Sequence, residues 1–409
     1  MSFSKSKKFS QYVRLILPGG LNLTSSKNYI TNRKFKKPWN VTQKLSIILP
    51  IGVGISVISF IQWSNKNNLP HDINDSTMTE SASNLVMQCY YYLPWRVTSR
   101  MIGWLSSIEI PQKFRPFVYN KYAELFGVNL DEIDCDINLF PSLSDFFARP
   151  LKSNARPIAM NANIVSPADG TILYLGPILT SQVKRVKGIS YSLRHFLGDT
   201  KSHKSKKEFT DQDNDDYVKS LLKNSNNSLY QLTVYLAPGD YHRFHSATEW
   251  KIRLRRHFQG KLLSVNPRMF NWFPHLLEIN ERAVYIGDWR EGFMAYVAVG
   301  ATNVGSIRVY CDNTLRTNTK WKKEDNGQDF HFIPTKIAKG EMFGEFRLGS
   351  TIVILFEAPK NICFSAKVGQ AIKMGEALTT IPTECDYVNK ITINLNRSIL
   401  YALNLLGFC

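Results

Sequence analysis

From residue 45 to residue 65 the chain carries no charge and is apolar at most positions (LSIILPIGVGISVISFIQWSN). As a helix rising about 1.5 Å per residue, this stretch measures about 30 Å, the thickness of the hydrocarbon core of a bilayer. A buried helix of a soluble protein would show polar positions every three or four residues over such a length. Pro50, Gly52 and Gly54 are tolerated in membrane helices, where neighbouring groups re-satisfy the backbone. The sequence therefore predicts a transmembrane helix over residues 45–63, followed by a polar linker over residues 64–84 (SNKNNLPHDINDSTMTESASN).

Charge is distributed unevenly about this span. Of the chain's 51 Lys and Arg, 11 lie in residues 1–71, which hold none of the 33 Asp and Glu, so the rest carries 40 basic against 33 acidic residues. The net charge of +18 therefore does not describe the body. Nor does the body show a stripe of Lys and Arg interleaved with aromatics, which argues against a nucleic-acid partner. Residues 1–44 are rich in Lys, Arg, Ser and Asn and lack acids, as a mitochondrial presequence or matrix tail does. Six basic residues precede the span within twenty positions (Lys27, Arg33, Lys34, Lys36, Lys37, Lys44), and only Lys66 follows it. By the positive-inside rule the N-terminus stays inside and the body is exported. For a mitochondrial protein this means a single-pass inner-membrane protein with its body in the intermembrane space.

The six cysteines (Cys89, Cys135, Cys311, Cys363, Cys385, Cys409) form no C-x-x-C pair, which disfavours a zinc site and a disulfide framework. Met101, Trp104, Leu105 and Ile108 recur at helical spacing, as do Val118, Tyr122, Leu125 and Phe126 ahead of Gly127. Two amphipathic helices follow, with core packing as the first reading of each stripe and membrane contact as the second. From Ile164 onward the pattern changes to short apolar strands between Gly, Pro and Asp: TILYLGPI, YQLTVYLAPGD, FMAYVAVG, SIRVYCD and STIVILFEAP. Residues 199–228 and 312–330 are polar and read as surface insertions. Near the end, Lys339-Gly340-Glu341 and residues 368–376 (VGQAIKMGE) resemble the turns of biotinyl and lipoyl carrier barrels, without an attachment lysine at a hairpin tip. The fold class expected is α+β: N-terminal amphipathic helices, then a mainly antiparallel, barrel-sandwich-like catalytic domain over residues 85–383, and a tail over residues 384–409.

Three segments carry chemistry. In Phe346-Arg347-Leu348-Gly349-Ser350-Thr351 a Gly-Ser step runs into a strand, which by itself is usually a turn. A serine hydroxyl can, however, attack the carbonyl of the residue before it and move the acyl group from nitrogen to oxygen, and a glycine there leaves the approach uncrowded and the backbone free to bend. Elimination of the ester then leaves a dehydroalanine that hydrolyses to a pyruvoyl group and ammonia. The second segment, Ser166-Pro167-Ala168-Asp169-Gly170, reads as a turn before a strand. In the third, residues 235–245 (YLAPGDYHRFH), His242 and His245 stand three apart. Such a pair can hold a metal, but no third ligand can be assigned.

Together these segments resemble the phosphatidylserine decarboxylase family. Further matches support the likeness, among them residues 126–132 (FGVNLDE), 146–152 (FFARPLK), 186–188 (VKG), 260–267 (GKLLSVNP), 280–282 (NER) and 299–307 (VGATNVGSI). The resemblance runs from near Tyr92 to near Glu376. It implies self-cleavage between Gly349 and Ser350 and conversion of Ser350 to a pyruvoyl group, with no separate cofactor. The precursor then becomes a membrane-anchored β chain and an α chain of residues 350–409 that stay associated. It also implies that Asp169 orients His245 as the base for the Ser350 hydroxyl, that His242 serves decarboxylation, and that membrane phosphatidylserine is turned into phosphatidylethanolamine and carbon dioxide. Two other readings compete. A serine hydrolase would use Asp169, His245 and Ser350 on an external acyl group, but the G-x-S-x-G elbow is absent. A binding protein on a carrier-like barrel would use none of them.

Overall fold

The computed structural model describes residues 87–88, 90–178, 192–198, 211–267, 269–273, 275–302, 306–320, 327–347 and 349–380. The expected presequence, transmembrane helix, linker and tail 384–409 lie outside the described residues, as do residues 186–188 and Leu348. Helices α1 (Trp95–Ser106), α2 (Arg115–Phe126) and α3 (Leu143–Phe147) precede strand β1 (Gly170–Pro177). Helices α4 (Leu193–Leu197) and α5 (Asp211–Leu221) come next. The remaining strands are β2 (Asn227–Leu236), β3 (Arg243–His245), β4 (Trp250–Phe258), β5 (Arg282–Trp289), β6 (Gly292–Gly300), β7 (Ile307–Val309), β8 (Asp329–Ile337), β9 (Met342–Phe346), β10 (Ser350–Pro359), β11 (Cys363–Phe364), β12 (Ala371–Ile372) and β13 (Thr379–Thr380).

The apolar runs read from the sequence become the middle of one antiparallel sheet, ordered β12-β1-β2-β10-β6-β5-β4-β8 among the described residues. STIVILFEAP is apolar without alternation because β10 is covered on both faces. Ile352, Ile354, Phe356 and Ala358 enter one core and Val353 and Leu355 the other. The first core is closed by a small sheet, β3-β9-β7, through Phe244, Phe343, Phe346, Ile307 and Val309. The second is closed by helical side chains such as Leu193, Phe196 and Leu197. The arrangement is a sandwich whose main sheet stays open, β12 and β8 being its two edges, so the mainly antiparallel, sandwich-like α+β expectation holds and the barrel does not close.

The two N-terminal helices differ in how their stripes pack. In α1, Met101 and Trp104 are 59 % and 66 % exposed, so this apolar face turns to solvent and not to a core. In α2 the stripe does meet a core: Val118, Tyr122 and Phe126 pack against the cluster around Tyr119 and Ala123, and of the stripe only Leu125 is exposed. Gly127 ends α2 in the left-handed conformation at φ 71°, as its place in the pattern predicts. Among the described residues no helix is long and apolar enough to cross a membrane.

The polar stretches are also more structured than surface insertions. Residues 211–221 form α5, whose Tyr217, Val218 and Leu221 pack on the second core. Asp312 is buried and accepts from Arg255 (2.7 Å) and Tyr285 (2.9 Å). The connection from α5 to β2 is fastened by the buried carboxylate of Glu357, which accepts from the amides of Lys223, Asn224 and Phe293 and from Asn227 Nδ2 at 2.8–3.0 Å. Gly292 sits against it at φ 132°, where a Cβ would lie 2.1 Å from Glu357 Oε2. Gly292→Ala should therefore cost about 1–3 kcal/mol through backbone strain and crowding, read as a drop of a few degrees in the thermal midpoint. An unchanged midpoint would show that Glu357 can give way.

Candidate active site

Ser350 is the first residue of β10, paired with Leu236 on one side and Gly300 on the other. It is fully buried, and its Oγ has no hydrogen-bond partner, so nothing competes for the hydroxyl. Gly349 is not among the glycines at positive φ, and a Cβ there would meet nothing within 4 Å. Neither backbone conformation nor packing requires a glycine at this position. The dihedral freedom expected of it is thus unused in this structure, and the open approach to its carbonyl is what remains.

The histidine segment is shaped by the turn before it. Asp240 N donates to Ala237 O (2.9 Å) and Ala237 N to the Asp240 carboxylate (2.7 Å). A Cβ on Gly239 would lie 2.0 Å from Phe126 O, so only glycine lets the turn press on the end of α2. Tyr122 and Arg149 complete the seat, donating to the carbonyls of Pro238 (2.8 Å) and Gly239 (2.7 Å). His242 then lies fully buried with its ring centroid 3.9 Å from that of Phe147. Its Nδ1 donates to Asp240 O (2.8 Å), which leaves the Nε2 lone pair free, and Nε2 has no partner. Burial, reinforced by the charge of Arg149, pulls its pKa down to about 3. The His242 carbonyl accepts the Phe346 amide (2.9 Å), which places this histidine at the Ser350 end of β9.

His245 lies across from Met342, at the other end of β9. Its Nδ1 donates to Gly340 O (3.0 Å), and Nε2 accepts from the Tyr241 hydroxyl (3.1 Å). Burial lowers its pKa too, Arg243 acting in the same direction and Asp169 against it. The expected hydrogen bond from Asp169 to the His245 ring is not made. Asp169 is taken by Arg156, whose Nη2 and Nε donate at 2.6 and 2.9 Å, and by the Met374 amide at 2.8 Å. Two charge-assisted bonds from a guanidinium outweigh one from a neutral imidazole. Arg156 also pairs with Glu132 (2.7 Å), and these carboxylates raise its pKa against the effect of burial. All four side chains are buried, but no hydrogen bond joins any two of them, and of the two histidines only His242 lies at the Ser350 end of β9.

Sequence reasoning gave no role to Arg149, Arg156 or Tyr241. The one available signal was the repeated Arg-Pro step in FFARPLKSNARP, because an arginine fixed beside a proline in an apolar stretch is placed for a specific contact. Among the described residues no group of three or more His, Cys, Asp or Glu side chains could hold a metal. A covalent group made from Ser350 fits these surroundings, since its hydroxyl is uncommitted and a free imidazole nitrogen lies at the same end of the sheet. A nucleophile for external acyl groups fits less well, because Ser350 is laddered between two strands and has no exposed surface.

Comparison with known proteins bears on the same residues. The family model described as phosphatidylserine decarboxylase matches residues 143–380, which include all four candidate side chains. The mitochondrial phosphatidylserine decarboxylase proenzyme of Pongo abelii is 44 % identical over 299 residues, covering 71 % of this chain and 73 % of its own. That of Caenorhabditis elegans is 36 % identical with 90 % of this chain and 91 % of its own covered, and proenzyme 1 of Saccharomyces cerevisiae is 35 % identical over 73 % and 75 %. With a family model over more than half its length and relatives this similar over most of theirs, this chain belongs to the phosphatidylserine decarboxylase family.

Proposed function

We propose that this protein is a self-processing decarboxylase that converts phosphatidylserine to phosphatidylethanolamine and carbon dioxide through a pyruvoyl group made from Ser350. The observation that carries the reading is the Ser350 hydroxyl, buried and uncommitted behind a glycine that the fold does not require. A base removes its proton, Oγ attacks the Gly349 carbonyl, and the amide becomes an ester. Loss of the Ser350 α-proton expels the Gly349 carboxylate, and water converts the resulting dehydroalanine to the ketone with release of ammonia. His245 is the base in this reading, with the field of Asp169 favouring its protonated form, and Tyr241 must yield the Nε2 lone pair or relay the proton.

When formed, the pyruvoyl group supplies an electron sink for the pair left by carbon dioxide. His242 manages the proton. Burial leaves its Nε2 free and unprotonated, the form that can accept a proton released as the substrate amine attacks and hand it to the product carbon. The α chain stays in place after cleavage because β10 pairs with β2 from Ser350 to Pro359 and with β6 from Ser350 to Phe356. Intact mass of the purified protein tests the assignment. A fragment of residues 350–409, lighter by one ammonia than its serine-ended form, is expected. A serine-ended fragment or a single chain would sink it.

The same reading places the protein in the mitochondrial inner membrane, anchored once by residues 45–63, with the catalytic domain of residues 85–383 in the intermembrane space. Support comes from the basic residues crowded before the span and from the relatives named mitochondrial. The exposed Tyr92, Leu93, Val97, Met101 and Trp104 suit a face lying on the membrane that holds the substrate. Protease added after rupture of the outer membrane should digest the body, whereas survival of the body until detergent is added would reverse the topology.

A further inference from the structure

We infer that Arg149 binds the phosphodiester of the phosphatidylserine head group, an inference that rests on the decarboxylase reading. Arg149 is 3 % exposed. Its Nη2 donates to the carbonyls of Gly239 (2.7 Å) and Asp240 (3.1 Å), but its Nε and Nη1 are buried and donate to nothing. Its guanidinium carbon lies 5.8 Å from the centroid of the Phe146 ring. The two nearby carboxylates are committed elsewhere: that of Asp240 accepts the Ala237 amide, and Asp169 is held by Arg156. A buried cation with idle donors and no counter-ion is strongly unfavourable unless something else uses it.

The place of Arg149 points to the substrate. The Asp240 carbonyl that it caps also accepts His242 Nδ1, so guanidinium and imidazole are held on a single oxygen. Arg149 is therefore a neighbour of His242, and a substrate whose α-carbon meets the free Nε2 carries its phosphodiester only a few bonds farther on. Phosphatidylserine brings two anions, and the chemistry separates them. Its carboxylate loses its charge as carbon dioxide departs, so pairing it with an arginine would stabilise the ground state more than the transition state and slow the reaction. Its phosphodiester keeps its charge throughout, and pairing there fixes the head group without raising the barrier. Self-cleavage creates a third anion, the Gly349 carboxylate, which the test has to distinguish.

Self-cleaved wild-type enzyme and Arg149→Gln are compared on a soluble short-chain phosphatidylserine and on an O-alkyl serine that lacks the phosphate. Cleavage is read on gels, and calorimetry measures binding of glycerophosphoserine. Arg149→Gln retains an amide that can donate to the turn carbonyls seated by Arg149; it should therefore cleave, show a KM for phosphatidylserine raised about ten- to a hundredfold with kcat nearly kept, and bind glycerophosphoserine correspondingly more weakly. The O-alkyl serine should be turned over alike by both enzymes, and Arg149→Lys should restore part of the affinity. An unchanged KM overturns the inference, and so does an equal loss on both substrates, which would assign the arginine to the serine carboxylate that both carry or to the Gly349 carboxylate. An uncut Arg149→Gln also overturns it, placing the side chain in maturation or folding. The wild-type enzyme alone gives a second test, because equal KM values for the two substrates would exclude a phosphate contact whatever the variants do. If wild-type enzyme releases carbon dioxide from neither substrate, the decarboxylase reading fails and this inference with it.

Discussion

Ser350→Ala should accumulate as one uncut chain with no detectable release of carbon dioxide from phosphatidylserine, while remaining as stable as the wild-type precursor. The stability follows from the burial of a hydroxyl that makes no hydrogen bond, so its removal orphans no partner and leaves a space smaller than a methyl group. The loss of function follows from the chemistry, because alanine has no oxygen to receive the acyl group and cannot become a ketone. Gels show the absence of the two fragments, and the thermal midpoint shows that the fold is intact. Two fragments from this variant would remove Ser350 from the reaction. A large fall in midpoint would mean instead that the hydroxyl has a structural partner.

Much of this fold is legible in the sequence because its central strands are covered on both faces. A run such as STIVILFEAP or FMAYVAVG has one good solution, a buried strand, and both become inner strands of the main sheet. The stripe of α1 is legible as a helix but not as packing. A period of 3.6 says that one face differs from the other and leaves open what covers it, so Met101 and Trp104 could be assigned to a core that the structure does not build around them. Polar composition misleads in the opposite way over residues 211–221, where a few apolar side chains suffice to seat α5.

The site divides along similar lines. Ser350, His242, His245 and Asp169 stand out as candidates in the sequence because the chemistry of each residue type narrows its roles and the family likeness orders them. Their partners do not. Asp169 chooses Arg156 over His245 because a guanidinium offers two charged donors, and nothing in the spacing of an aspartate and a histidine reveals a competing arginine. The choice has a functional consequence, since Asp169 acts on His245 through its field and not through a hydrogen bond. In the proposed reaction the base for the Ser350 hydroxyl would thus be oriented by Tyr241 and Gly340, which hold the His245 ring.

The two histidines should separate the two halves of the reaction. His245→Ala is expected to remain the uncut precursor, whereas His242→Ala should mature into two chains yet lose decarboxylation by at least about a hundredfold, the usual effect of deleting an acid–base group. His242 carries the second role because its Nε2 is free at the Ser350 end of β9 and its neutral form can take and return one proton. Its burial also predicts a pH effect. The folded chain keeps His242 neutral down to about 3, while the unfolded chain protonates it near 6.5, so protons favour unfolding between these values. Precursor stability should thus fall as pH drops through that window, and less steeply in His242→Ala, as urea unfolding at stepped pH would show. If His242→Ala stays uncut while His245→Ala matures, the roles must be exchanged. Equal failure of both variants to mature would mean that residues 240–245 act on cleavage through their fold, the turn seated on Phe126 and Arg149 being lost with either ring.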